Sequence, residues 1–489
     1  MRAVRVVIDA LNDAGIRYCH WKSNVRLAEA LHGRTDLDLL VARVDAARFQ
    51  AVLGSLGYKP CTTGAGPAIC HYYGLEAESG RLVHLHVYYR IMTGGAVLKN
   101  YCLPLEEMLL RGARKIDGIF VPDQAAELVS FVVRKMLECA TPIETVFLAR
   151  ERSVVDELAW LSEGVSDADI SRLLHAYLPN LDLGLFRSAR EAIASGSVVR
   201  RFLCGRAIAK RLHPNARYRG AHAALIRSAR FIAKVGSRIL GRRSSHVLLS
   251  GGAVVAVVGS DGAGKSTIVG ELTAWLEPLL KARRIHAGKP PPTMTTAGIR
   301  ILLPLMRRLA PRYRKTALQR DDDGGSKRGA EALRNGRLFP LYALRAVALA
   351  YERKRLLVRA HRAARDGAIF MSDRYPTMLP GVPEGPALSF LLRDANPLYA
   401  WLARMEESAY RAIPPADLVL HLQVPIDLAC RRNLTRDKSG VRKPTDVIRR
   451  RYAQTTELDF PGVPVHRVST DADLESTLRA VKEIVWNAL

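Results

Sequence analysis

The stretch Ala253-Val254-Val255-Ala256-Val257-Val258-Gly259-Ser260-Asp261-Gly262-Ala263-Gly264-Lys265-Ser266-Thr267 decides how this chain folds. Its first six residues are apolar and rich in β-branched side chains, the pattern of a buried strand. Gly259 to Ser266 then fit G-x-x-x-x-G-K-S. From Ile268 to Leu280, the residues Leu272, Trp275, Leu276 and Leu279 recur at helical spacing. A strand, a glycine loop and a helix in that order form a cradle for phosphate. The glycines let successive N–H groups curl round an anion, and the helix turns its positive end toward it. Lys265 is placed to reach the β- and γ-phosphates of a nucleotide, and the Ser266 hydroxyl to hold Mg²⁺.

Two further elements extend this reading. Gly367 to Ser372 reads as a second buried strand, followed by Asp373-Arg374-Tyr375-Pro376. A carboxylate at the C-terminal end of a core strand suits Mg²⁺, and ligands in open parallel sheets gather at those ends. Arg374 is placed to clamp an acceptor phosphate. Asp417 to Val424 reads as a third strand, and Asp427 to Asn433 as a helix. Arg431, Arg432, Arg436, Lys438, Arg442 and Lys443 crowd the polar stretch around its end. Such a cluster fits a lid that closes on phosphates and neutralises transferring charge.

GSDGAGKST, a strand ending in DRYP, and LQVPIDLACRRNLTRDKSG together resemble the thymidylate kinase family of nucleoside-monophosphate kinases over about residues 248–489. The resemblance implies an α/β fold with a parallel five-stranded sheet wrapped by helices. It implies ATP and Mg²⁺ as cofactors and an anionic, phosphorylated acceptor. By position, Gly259, Gly262, Gly264, Lys265, Ser266 and Thr267 would bind ATP phosphates, and Asp261 would sit near the acceptor. Asp373 and Arg374 match the family's Asp-Arg pair, with Ser266 and Asp373 toward the metal. Arg432 and Arg436 match lid arginines. The family's Ser and Ala-Tyr-Gln signature for thymine is absent, and Thr377 to Gly385 stands in its place. The Arg-Glu-Pro-Gly-Gly segment is only echoed by Ala287 to Thr293.

The N-terminal part offers Gly33-Arg34-Thr35-Asp36-Leu37-Asp38-Leu39-Leu40-Val41. Side chains alternate across a strand, so Asp36 and Asp38 share a face and form a candidate Mg²⁺ pair. With the upstream His20-Trp21-Lys22-Ser23, this resembles an uncharacterised nucleotidyltransferase family with a polymerase-β-type core, over about residues 5–150. That implies an N-terminal α+β nucleotidyltransferase-like domain and a third carboxylate on a later strand. Val83-His84-Leu85-His86-Val87 puts His84 at that place, and His is a poor ligand for hard Mg²⁺. The domain is then either a transferase or a fold kept for binding. His84 and His86 share a strand face, as a transition-metal site or as structural histidines.

Composition frames these motifs. The chain has 489 residues, 48% of them apolar and 25% charged, with a formal net charge of +27. That length implies several domains, and the balance excludes disorder and long coiled coils. Residues 1–186 hold 20 basic and 22 acidic side chains, whereas 187–250 hold 15 basic ones and one acid, Glu191. The reading is a domain at 1–186 with helical periodicity from 122, a basic helical connector at 187–247, and a kinase-like domain at 248–489. Within the connector, Arg227, Arg230, Lys234 and Arg238 form one helical stripe, and Leu225, Ile232, Val235 and Ile239 another. Such a helix can lie on an anionic membrane or pack its apolar stripe on the kinase domain. Aromatic residues are sparse there, so nucleic acid is not expected. Asp321 to Asp323 read as part of a polar loop. The seven cysteines lack a C-x-x-C pair, and no segment reads as a signal peptide or membrane span, which fits the cytoplasm. Oligomeric state is not legible. The functions in play are a thymidylate kinase-like enzyme, a bifunctional nucleotidyltransferase/kinase acting on a sugar or polysaccharide precursor, and an ATP-binding regulatory module docking on an anionic membrane or nucleic acid.

Overall fold

The computed structural model describes residues 1–63, 69–95, 97–141, 152–239, 246–288, 290–291, 339–379, 382, 384–434, 445–456, 458 and 460–489. Arg436, Asp321 to Asp323 and Thr293 lie outside the described residues. The chain divides into two units, one of Met1–Glu76 and Arg81–Ser244, the other of Ala77–Gly80 and Ser245–Leu489.

In the second unit, five strands form a wholly parallel sheet. Their order across the sheet is Ala282–Ile285, Ile369–Ser372, Val254–Gly259, Leu418–Gln423 and Val465–Ser469. The glycine-loop strand is therefore central, and all six of its residues are buried. Strands covered on both faces lose the alternation of polar and apolar residues, which explains the continuous Val-rich run. The helices Lys265–Leu276, Phe339–Arg365, Pro397–Arg411 and Leu474–Ala488 belong to the same unit. This mixed α/β architecture with a parallel sheet agrees with the expected fold class.

The first unit carries a mixed sheet of strands β1 (Tyr18–His20), β2 (Leu37–Val41), β3 (Lys59–Thr62), β4 (Cys70–Glu76) and β5 (Arg81–Tyr88). They run in the order β1-β2-β5-β4-β3, with only the β2–β5 pair parallel. A helical layer follows, organised on Gln124–Glu138, a helix with eleven buried residues.

The expected connector begins inside this layer. Phe186, Ala189, Ile193, Ile208 and Leu212 belong to the same core as Val129, Phe131 and Met136. Arg201, although part of the basic run, is only 2% exposed. Its guanidinium donates to the carbonyls of Ala192 (3.3 Å) and Ile193 (2.7 Å) at the end of the Leu183–Ala194 helix. It thus satisfies carbonyls that the helix itself leaves open. In the Gly220–Ile239 helix, Leu225, Ile232 and Val235 of the apolar stripe are exposed, the first two at 69%. Among the described residues, no helix is long and apolar enough to cross a membrane.

Glu127 lies buried in the Gln124–Glu138 helix and accepts from the Asn24 backbone N–H (3.3 Å) and side-chain amide (2.8 Å). Burial pushes its carboxyl up to about 7, against the opposing Asn24 bonds. A raised carboxyl keeps its proton in the folded chain while the unfolded chain has lost it. Stability should therefore fall as pH rises from about 4.5 to 7, by roughly 3 kcal/mol for this group. Glu127→Gln should flatten that slope in denaturant unfolding measured across the range.

Candidate functional site

The loop Gly259–Gly264 links the central strand to the Lys265–Leu276 helix, and two close approaches dictate its composition. Gly259 has φ 141°, and a Cβ there would stand 2.4 Å from the Leu422 carbonyl oxygen. Gly262 has φ 89°, and its Cβ would stand 2.7 Å from the Ala429 carbonyl oxygen. The loop is seated directly on the neighbouring strand and on the Ile426–Leu434 helix. Gly264 caps the following helix, whose first residues are Lys265, Ser266 and Thr267. Lys265 Nζ donates to the carbonyls of Gly259 (2.8 Å) and Ser260 (2.7 Å), which holds the ammonium over the loop.

Asp373 follows the Ile369–Ser372 strand at its carboxyl end, one strand away from the loop. Its side chain is 6% exposed. Arg284 donates to Oδ2 at 3.0 Å, and His286 Nδ1 lies 2.8 Å from Oδ1. Both partners come from the end of the Ala282–Ile285 strand. Next in the chain, Arg374 forms an ion pair with Glu384. Burial opposes the Arg374 charge, but Glu384, with Asp261 and Asp373 behind it, outweighs burial and raises its pKa. Asp261, Lys265, Arg374, Tyr375, Glu384 and Thr455 line one pocket. The expected loop, Asp261, Asp373 and Arg374 are thus brought together at one edge of the sheet.

A buried network supports the far wall. Arg353, 4% exposed, donates to the Ala287 carbonyl at 3.1 Å and bonds the Tyr410 hydroxyl. Tyr410 in turn donates to the Gly385 carbonyl at 3.0 Å. Glu406 accepts from the N–H groups of Ala387 (3.0 Å) and Leu388 (2.7 Å). Two long helices therefore pin the segment that carries Glu384. Buried charges with satisfied partners are rigid supports, and removing one partner is costly.

Arg432 is bonded to the glycine loop and to the chain beside it. Its guanidinium bonds the Thr470 carbonyl (2.7 Å) and hydroxyl (3.3 Å), and reaches the Gly262 carbonyl at 3.5 Å. It ties the back of the loop to the chain after the Val465–Ser469 strand.

In the first unit, Asp36 and Asp38 do share a face with His84 and His86. Asp38 stands opposite His86 in the parallel β2–β5 register. Asp38 Oδ1 is 2.8 Å from Lys22 Nζ and 3.2 Å from His86 Nδ1, and Asp36 Oδ1 is 2.9 Å from His84 Nδ1. Burial works against the Asp38 charge, but the His86 hydrogen bond and the Lys22 charge hold its carboxyl well below the usual carboxylate range. Asp38 is thus engaged by cationic and imidazole partners. Sequence reasoning missed Lys22, Arg284, His286 and His71 as site members. Each joins only through strand pairing.

No protein-family model and no curated protein matches this chain. Among solved structures it is similar to a deoxyadenosine kinase from M. mycoides with bound dATP, at 15% identity and a TM-score of 0.28, over 48% of this chain and 98% of that one. It is also similar to a thymidylate kinase from Candida albicans, at 14% identity and a TM-score of 0.27, over 49% of this chain and 94% of that one.

The close approach at Gly262 makes a contrast with Gly270, in the middle of the Lys265–Leu276 helix, whose Cβ would meet nothing within 4 Å. Gly262→Ala should lower stability by about 1–3 kcal/mol and weaken ATP binding at least tenfold. Gly270→Ala should stabilise by about 0.5–1 kcal/mol and leave ATP binding unchanged. Denaturant unfolding and calorimetric ATP titration of the two variants check this.

Proposed function

We propose that the C-terminal unit is an ATP-dependent phosphotransferase that moves the γ-phosphoryl group to an anionic phosphorylated acceptor, a nucleoside monophosphate or a related compound. One observation carries this reading. Gly259, Asp261 and Lys265 of the glycine loop share one pocket with Arg374 at the carboxyl edge of a parallel sheet, and the buried Asp373 precedes Arg374 at the end of the adjacent strand.

The residues present fit the groups this chemistry needs. A glycine loop that leads into the start of the Lys265–Leu276 helix suits a phosphate chain. The Ser266 hydroxyl and the Asp373 carboxylate are oxygen donors of the kind Mg²⁺ prefers. Mg²⁺ bound there would neutralise charge on the phosphate oxygens.

In this reading an acceptor oxygen attacks the γ-phosphorus while the bond to the β–γ bridging oxygen breaks, and ADP leaves. There is little covalent work for the protein, so its residues act by position and charge. Lys265 turns from the loop carbonyls to the β- and γ-phosphates. Gly264, Ser266 and Thr267 supply N–H groups at the positive end of the helix. Arg374, steadied by Glu384, faces the acceptor phosphate, with Asp261 on the same wall. Arg432 is a positioning residue that keeps the loop seated. Nucleotidyl transfer in the first unit is expected to need a third carboxylate, and His84 stands at that place, so that activity is not proposed.

The test is ADP release from Mg-ATP against dTMP, other nucleoside monophosphates, sugars and sugar phosphates. Acceptor-dependent release is expected with a phosphorylated compound, falling about 10²-fold or more in Lys265→Ala. ATP binding without release across the panel, unchanged by Lys265→Ala, would favour a binding module instead.

A further inference from the structure

We propose that His71, His84 and His86 form a binding site for a borderline divalent transition ion of the Zn²⁺ type, separate from the nucleotide site. His71 lies on β4 and faces His86 on β5 in antiparallel register, while Tyr73 faces His84. The three imidazoles therefore occupy one face of adjacent strands, His84 and His86 two residues apart on β5 and His71 across from His86 on β4. One ring nitrogen from each lies within 4.8 Å of the others. Three ligands at about 2.0–2.1 Å around a tetrahedral Zn²⁺ stand about 3.3–3.4 Å from one another. His71 Nδ1 and His84 Nε2 are already 3.1 Å apart. A small turn of the His86 ring, now perpendicular to both others at 84° and 83°, completes the set.

The surroundings orient these nitrogens as metal ligands need. A coordinating histidine usually donates its second ring N–H to a carboxylate, which fixes its tautomer. His84 Nδ1 lies 2.9 Å from Asp36 Oδ1, and His86 Nδ1 lies 3.2 Å from Asp38 Oδ1. His84 then presents Nε2 toward His71 and the ion, while His86 Nε2 lies 3.6 Å from Asp36 Oδ2, beside the same position. Tyr73 stacks on His84 at 4.3 Å, nearly parallel at 8°, and holds the ring plane. Lys22 stands on the far side of Asp38, at 2.8 Å, and keeps that carboxylate in place. Imidazole selects Zn²⁺, Ni²⁺ or Co²⁺ over Mg²⁺, and three protein ligands leave a fourth position for water or a ligand oxygen. His71 is buried and His84 nearly so, whereas Asp36 is 48% exposed and leaves an edge open to solvent.

The experiment uses the full chain, freed of metal by a chelator and titrated with Co²⁺ in the presence of excess Mg²⁺. One equivalent should bind, with the intense visible bands of tetrahedral cobalt and no sulfur charge-transfer band, and Zn²⁺ should displace it. His71→Gln and His84→Gln should each lower affinity at least 100-fold, and Asp36→Asn 10- to 100-fold. X-ray absorption of the Zn²⁺-loaded wild-type protein gives a result that no variant's misfolding can obscure, and a shell of three imidazoles and an oxygen is expected. Sulfur in that shell, fewer than three imidazoles, or no stoichiometric binding would overturn the proposal.

Discussion

The candidate site depends on a backbone loop seated without side-chain cushioning on its neighbours. Gly259 lies against the Leu422 carbonyl and Gly262 against the Ala429 carbonyl, at distances that a Cβ could not share. That seat aligns the start of the Lys265–Leu276 helix with the carboxyl edge of the sheet. Everything else acts by reference to it. Arg432 grips the loop from behind, Lys265 covers it, and Asp373 and Arg374 come to it from the adjacent strand. An electrostatic catalyst of phosphoryl transfer needs such prior alignment, because its groups must be in place before charge develops.

Around the loop, charged side chains are held by specific partners. Asp373 rests between Arg284 and His286, Arg374 on Glu384, and Arg353 on Tyr410. The segment that carries Glu384 is thereby fixed by helices. The formal charge of +27 is spread differently from what a basic run in sequence implies. Arg201 works inside the N-terminal core as a helix terminator, and long side chains of this kind combine packing with hydrogen bonding.

The parallel sheet and its loop were legible because their signals are local. A buried parallel strand writes a run of Val and Ala, and a phosphate loop writes glycines at fixed spacing. Asp373 was legible for the same reason, as the residue that ends such a run. Its partners were not. Arg284 and His286 lie about ninety positions upstream and meet it only because their strand pairs with Ile369–Ser372. His71 is similar, since alternation along β4 places it on a face but only the β4–β5 register sets it opposite His86. Arg432 resembles a lid residue by sequence, yet the end of its helix turns toward Thr470 and the loop. The division at Ser244 was hidden by the abrupt rise in basic residues at Arg187, whose helices nonetheless supply apolar faces to the N-terminal core.

The central claim is that the γ-phosphoryl group of ATP leaves for an acceptor through this site. Phosphorus NMR of Mg-ATP turnover with a phosphorylated acceptor follows that group directly. The account predicts a new phosphoanhydride signal on the acceptor, growing in step with ADP and ahead of inorganic phosphate. Inorganic phosphate as the sole product, or intact ATP beside bound protein, would contradict it.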